Sequence, residues 1–137
     1  MRILAIDYGE KRIGLAISDP LGYTAQGIET LKNLGRKQVM TALGGICKEK
    51  GIKEIVIGLP INMNGSRGPK AEEILKFVPV LEKETGVPVK TWDERLTSRE
   101  AGRLMIQEGL SRERQKQNSD RLAATLILQS YLESKRK

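Results

Sequence analysis

The chain of 137 residues contains no histidine. That absence removes a Ser-His-Asp relay, a histidine general base and histidine-ligated zinc. Its single cysteine, Cys47, can form neither an internal disulfide nor a thiolate zinc site, and its helical surroundings point to core packing. Aromatic residues make up 4% of the chain, so the core has to be aliphatic. No apolar run approaches the ~18 residues of a membrane span. The short strand after Met1 soon meets Asp7, Glu10, Lys11 and Arg12, which is unlike an export signal. The expectation is a soluble, cytoplasmic protein with no membrane partner. Any hydrolytic chemistry must then rest on carboxylates.

What is present begins with charge. Against 17 Asp and Glu stand 24 Lys and Arg, a net charge of +7 that favours polyanionic partners, nucleic acid first among them. The length fits a single domain, 1–137, with no internal repeat.

Arg2 to Asp7 and Arg12 to Ser18 read as two strands joined by the polar turn Tyr8-Gly9-Glu10-Lys11. A third strand is expected over Tyr23 to Thr30. Val39, Met40, Leu43, Ile46 and Cys47 recur at helical spacing between Leu34 and Lys50, and the pair Gly44-Gly45 inside that helix would mark close packing against a sheet. "EIVIGL", Glu54 to Leu59, is the compact apolar run of a buried parallel strand. Pro69 starts a helix that Gly86 stops, with Pro79 a point of kinking or early termination. Val87 to Glu94 is the fifth strand, and Thr97 or Ser98 opens a helix through Glu108. "SRERQKQN", 111–118, lacks periodicity and reads as a loop, and Ser119 to Ser134 forms the last helix. The order implies an α/β fold: one mixed sheet covered by helices.

Three carboxylates stand out. Asp7 shares the strand face of Ile3 and Ala5, so it meets partial burial near a strand end; capping the following turn is its alternative role. Asp93 and Glu94 close the fifth strand, and parity leaves open which of them faces inward. Asp120 lies on the helical stripe of Ala123, Ala124, Ile127 and Tyr131, which should face the sheet at close approach; favourable interaction with the helix dipole is its alternative. One sheet can gather all three. Clustered carboxylates raise one another's pKa unless a cation neutralises them, and hard, oxygen-preferring Mg²⁺ or Mn²⁺ is the natural occupant.

The stretches "DYGEKRIGLAISD", "IGLPINMNGSRGPKA", "DERLTSREA" and "SDRLAATLILQSYL" together resemble the YqgF (RuvX) family of bacterial RNase H-like proteins. That family is associated with resolving four-way DNA junctions and with maturing the precursor of small-subunit ribosomal RNA. The resemblance covers nearly the whole chain in the right order. It implies an RNase H-like fold, a central five-stranded mixed sheet flanked by helices, and a metal-dependent nuclease site. By motif, Asp7, Glu94 and Asp120 become the catalytic acids and ligands of Mg²⁺ or Mn²⁺, with Asp93 a possible helper to Glu94. Lys11, Arg12 and Arg95 match basic positions that would contact phosphates. Asn64 stands where the family pattern has an acid, which leaves the Pro60 to Gly68 loop as a turn or a substrate contact.

The loop lacks a Walker A ending, so it does not read as nucleotide-binding. Two rivals accompany the nuclease reading. A kinase or ATPase of the actin and sugar-kinase group would need a second domain that this length does not supply. A non-catalytic nucleic-acid-binding module would have little use for three converging acids. Structured RNA, with the ribosomal precursor first, and branched DNA are the expected partners. Junction resolution would require a homodimer, whereas trimming an RNA end requires only a monomer.

Overall fold

The computed structural model describes residues 1–94 and the helix 112–136, and within that helix the side chains from 122 to 135. Five strands form one sheet: β1 (Arg2–Tyr8), β2 (Arg12–Ser18), β3 (Ala25–Lys32), β4 (Ile52–Leu59) and β5 (Val89–Asp93). Their order is β3-β2-β1-β4-β5. β1, β2 and β3 pair antiparallel, and β4 runs parallel to both β1 and β5. This is the mixed five-stranded sheet that the sequence implies.

Helices α1 (Arg36–Lys50) and α2 (Pro69–Thr85) cover one face, and α3 (Arg112–Arg136) covers the other. Strand alternation sorts the side chains between the layers. Leu4, Ile6 and Tyr8 pack with Val39, Leu43, Ile74 and Phe77. Ile3 and Ala5 pack with Ala124, Ile127, Leu128 and Tyr131. Ala5, Ala16 and Ala124, all fully buried, keep the α3 layer thin. β4 lies between the two layers and is buried at all but Lys53, hence its nearly continuous apolar run.

Several expectations are revised. β3 starts and ends two residues later than Tyr23 to Thr30, because Asp19 holds the backbone N–H groups of Leu21, Tyr23 and Thr24 in the preceding loop. α1 begins at Arg36, after Gly35 with φ of 113°. Gly44 and Gly45 mark no close packing, since a Cβ at either would meet nothing within 4 Å. Pro79 neither ends nor divides α2, which runs unbroken from Pro69 to Gly86, the left-handed residue that closes it. β5 spans Val89–Asp93, so Glu94 lies just past the strand in a tight turn.

The segment read as a loop, 111–118, is helical from Arg112 onward. Arg, Glu, Gln and Lys carry no apolar stripe but have good helix propensity, and they extend the packed part of α3 outward. The helix expected from Thr97 or Ser98 to Glu108 lies outside the described residues. Cys47 is buried in the α1 core, which pushes its thiol up to about 11. No helix among the described residues is long and apolar enough to cross a membrane.

Candidate active site

β1 brings Asp7 to the end of the sheet on the face covered by α3, half-buried beyond Ile3 and Ala5. Across the hairpin it pairs with Gly14 of β2. Asn33 fastens this turn, its Nδ2 donating to the Gly9 carbonyl at 2.8 Å while its own backbone N–H donates to the Lys11 carbonyl at 2.9 Å. Gly9 is required here for space: a Cβ would lie 2.3 Å from the Arg12 carbonyl oxygen.

Glu94 reaches the same place from the other side of β4. Trp92, two residues earlier, packs edge-on against Tyr131 of α3 with ring centroids 5.6 Å apart, so alternation places Glu94 on the α3 side as well. Between the two acids runs β4, and there stands Gly58. A Cβ on Gly58 would lie 2.7 Å from Glu94 Oε1, 2.8 Å from its Cγ and 2.7 Å from Ile127 Cδ1. With no side chain at that position, Glu94 lies across the strand and hydrogen-bonds Asp7.

The electrostatics follow from that geometry. Burial, the hydrogen bond to Asp7 and the charge of Asp7 push Glu94 up to about 8, with Asp93 adding to the shift and Lys70 of α2 opposing it. Of the two acids, Glu94 is the one driven toward its protonated form. Two oxygen-rich acids held together by a proton suit a hard divalent cation, which would displace that proton and neutralise both charges. The donor set therefore fits the metal that the sequence implies.

Asp120 lies on α3 seven residues before Ile127, about two helical turns along the same stripe. Its side chain falls outside the described ones, as does the whole of Arg95. Among the described residues no group of three ligand-type side chains gathers. Lys11 is exposed on the hairpin and Arg12 half-buried at the start of β2. The Pro60 to Gly68 loop folds on itself: Ile61 bridges Arg67, and Asn64 Oδ1 accepts from the Ser66 N–H and hydroxyl at 3.0 and 2.6 Å. Asn64 is thus spent inside the loop, while Met63 is exposed.

Sequence reasoning missed Gly58 and Lys70. The signal for Gly58 was a lone glycine in an otherwise apolar strand, which marks close approach of another group. Lys70 had only its place at the start of α2 to speak for it.

With the family and relatives that follow, an RNase H-like sheet carrying joined carboxylates at the end of its first strand defines the class: a nuclease, a hydrolase acting on the phosphodiester bonds of nucleic acid. Comparison with known proteins narrows it. Residues 1–134 match the family model described as "RuvX: Holliday junction resolvase". A Clostridium kluyveri protein named "Putative pre-16S rRNA nuclease" is 49% identical over 133 residues, with 97% of each chain covered. A Syntrophomonas wolfei protein of the same name is 48% identical over 133 residues, covering 97% of this chain and 94% of its own. The chain belongs to the RuvX family.

Among solved structures, Thermus thermophilus RuvC bound to a Holliday junction superposes with a TM-score of 0.63 at 18% identity, covering 99% of this chain and 96% of its own. The fowlpox virus Holliday junction resolvase gives a TM-score of 0.59 at 16% identity, covering 98% and 99%. At such identities the likeness speaks for the fold.

Proposed function

We propose that this single domain cleaves precursor ribosomal RNA in the cytoplasm, with Asp7, Glu94 and Asp120 as the acids that hold Mg²⁺ or Mn²⁺. The observation that carries the reading is the Asp7–Glu94 hydrogen bond across Gly58, two half-buried acids brought together at the end of the sheet. Such a pair is costly to keep in a fold unless it has a use. When bound, the cation supplies water activation and stabilisation of the charge developing on the phosphodiester. Asp7 and Glu94, from either side of β4, would hold it together with Asp120 of α3. Asp93 adds negative potential behind Glu94. Lys11, Arg12 and Arg95 bind and orient the phosphates of the nucleic acid strand.

RNA is preferred because the relatives of nearly full coverage carry the ribosomal-precursor name. The description of the matching family favours the second reading, four-way DNA junctions cut by a homodimer. The deciding experiment offers wild type and Asp7→Asn both precursor RNA and synthetic junctions, each with Mg²⁺, Mn²⁺ or EDTA. Metal-dependent cleavage of precursor RNA by wild type, lost in the variant, is the expected result. Equal cleavage by the variant would overturn the site, and junction cleavage alone would reassign the substrate. Binding without cleavage under any metal would identify a non-catalytic module.

A further inference from the structure

On the opposite face of the sheet from the acid pair, at the same end, lies a cavity of about 430 Å³. Tyr8, the residue after Asp7, forms one wall because strand alternation turns it toward α2. Its ring packs on Phe77 at 4.7 Å. Arg36, at the start of α1, lies over the Phe77 ring at 5.9 Å, and Lys76 of α2 lines the cavity with it. Glu73 is the acid among the lining residues. Among the described residues neither Arg36 nor Lys76 is in an ion pair, and these two exposed cations outnumber the one acid at the cavity. Asn33 holds the rim: its Nδ2 donates to Gly9 of the hairpin, and its Oδ1 accepts from the Gly35 N–H at 3.2 Å. The cavity and the hairpin that follows Asp7 are therefore braced as one piece.

The volume and the lining fit one kind of guest. A space of this size lies within the range of small-ligand sites and admits a nucleotide. Held over the buried Phe77 ring, the exposed Arg36 guanidinium offers its outer face to an unstacked base, and with Lys76 it offers charge to a phosphate. A base inside a duplex cannot enter such a recess while it stays stacked and paired. We propose that the cavity takes an unstacked nucleotide from a single-stranded segment adjoining the scissile bond, its phosphate between Arg36 and Lys76. This rests on the nuclease reading and adds a preference to it: substrates with a single-stranded tail beside the cut, rather than continuous duplex.

The test uses the full chain and compares R36Q/K76Q with K48Q/K83Q, which removes the same charge from exposed lysines elsewhere on α1 and α2. In EDTA, fluorescence anisotropy with a short labelled single-stranded RNA should show affinity falling roughly tenfold for the first variant and less than about twofold for the second. A blunt RNA duplex should distinguish the two variants far less. Equal losses for both variants would reduce the effect to bulk charge and overturn the proposal, as would no loss in either. With Mg²⁺ or Mn²⁺, R36Q/K76Q should raise KM for a tailed duplex several-fold more than KM for a blunt duplex. A uniform rise across substrates would overturn the tail preference. If wild type cleaves neither RNA, the RNA-cleaving reading fails, and the anisotropy measurement still decides the cavity.

Discussion

Two glutamates on one face of the sheet meet opposite fates. Glu54 stands near the start of β4, while Glu94 lies over the end of that strand at Gly58. Glu54 is buried, which alone would raise its pKa. Tyr131 donates its hydroxyl to Oε1, Lys135 donates to Oε2 at 2.9 Å, and with the charge of Lys90 they hold the carboxyl below its usual range. Glu94 is also removed from water, but its neighbour is another acid, and its pKa is pushed up to about 8. One carboxylate is satisfied by the fold and fastens α3 to the sheet. The other is set against a second acid. The difference separates a structural acid from a site built against its own stability.

The comparison breaks most visibly at Asp7. Asp7→Asn should lower metal-dependent cleavage by at least about 10²-fold, since in the proposed site the group lost would hold the cation at the reacting centre. In EDTA above about pH 8, where both acids of the wild type are charged, its thermal midpoint should match or exceed that of wild type, because a like-charge contact has been relieved. A marked fall in Tm would show that the Asp7–Glu94 bond serves stability, and the contrast with Glu54 would disappear.

The structural end responds in the opposite sense. Glu54→Leu leaves the Tyr131 hydroxyl buried without its acceptor and should cost about 1–3 kcal/mol in urea unfolding. In a Tyr131→Phe background the same substitution should cost less, and the double-mutant cycle isolates the pair. Lys135 is 41% exposed, so Lys135→Met should cost under about 1 kcal/mol.

The two acids also predict opposite pH dependences in metal-free protein. Between the ordinary Glu value of 4.5 and about 8, the folded state retains a proton on Glu94 that the unfolded state has released. Stability from this group is full below 4.5 and is lost as pH rises through about 8. Glu54, shifted down from 4.5, contributes stability above that value and loses it as pH falls through its lower folded value. Thermal melts across pH should show Glu94→Gln removing the alkaline decline and Glu54→Gln removing part of the acid loss. Mg²⁺ should raise Tm more at the alkaline end of the Glu94 window than at the acid end.

How far the sequence reveals this depends on the range of each interaction. The face of Asp7 was legible because Ile3 and Ala5 fix strand parity locally, and α2 was bounded by Pro69 and Gly86. The helical run after Arg112 was not, since propensity without an apolar stripe is a weak signal. β3 slipped because its start is fixed by the side chain of Asp19 rather than by its own pattern. The choice between Asp93 and Glu94 could not be made from parity, because the answer lies in Trp92 packing on Tyr131, far along the chain. Glu54 looked like the polar start of a strand until α3 covered it. Family resemblance chose Glu94 over Asp93 before any geometry did, whereas the passage of Glu94 over Gly58 is visible only in three dimensions.

Glycines give the finest test of the contrast between the two regions. Gly58→Ala places a methyl group 2.7 Å from Glu94 Oε1 and Ile127 Cδ1, both movable ends of side chains, so the fold survives while Glu94 is pushed off Asp7. Cleavage should fall by about tenfold or more, because a small misplacement of a group at the reacting centre is amplified in rate. Stability should fall by about 1–3 kcal/mol from overpacking. Gly45→Ala meets nothing within 4 Å on the solvent side of α1, so it should add up to about 1 kcal/mol of stability and leave cleavage unchanged. If Gly58→Ala instead behaved like Gly45→Ala, the path of Glu94 across β4 would be wrong, and its high pKa would lose its cause.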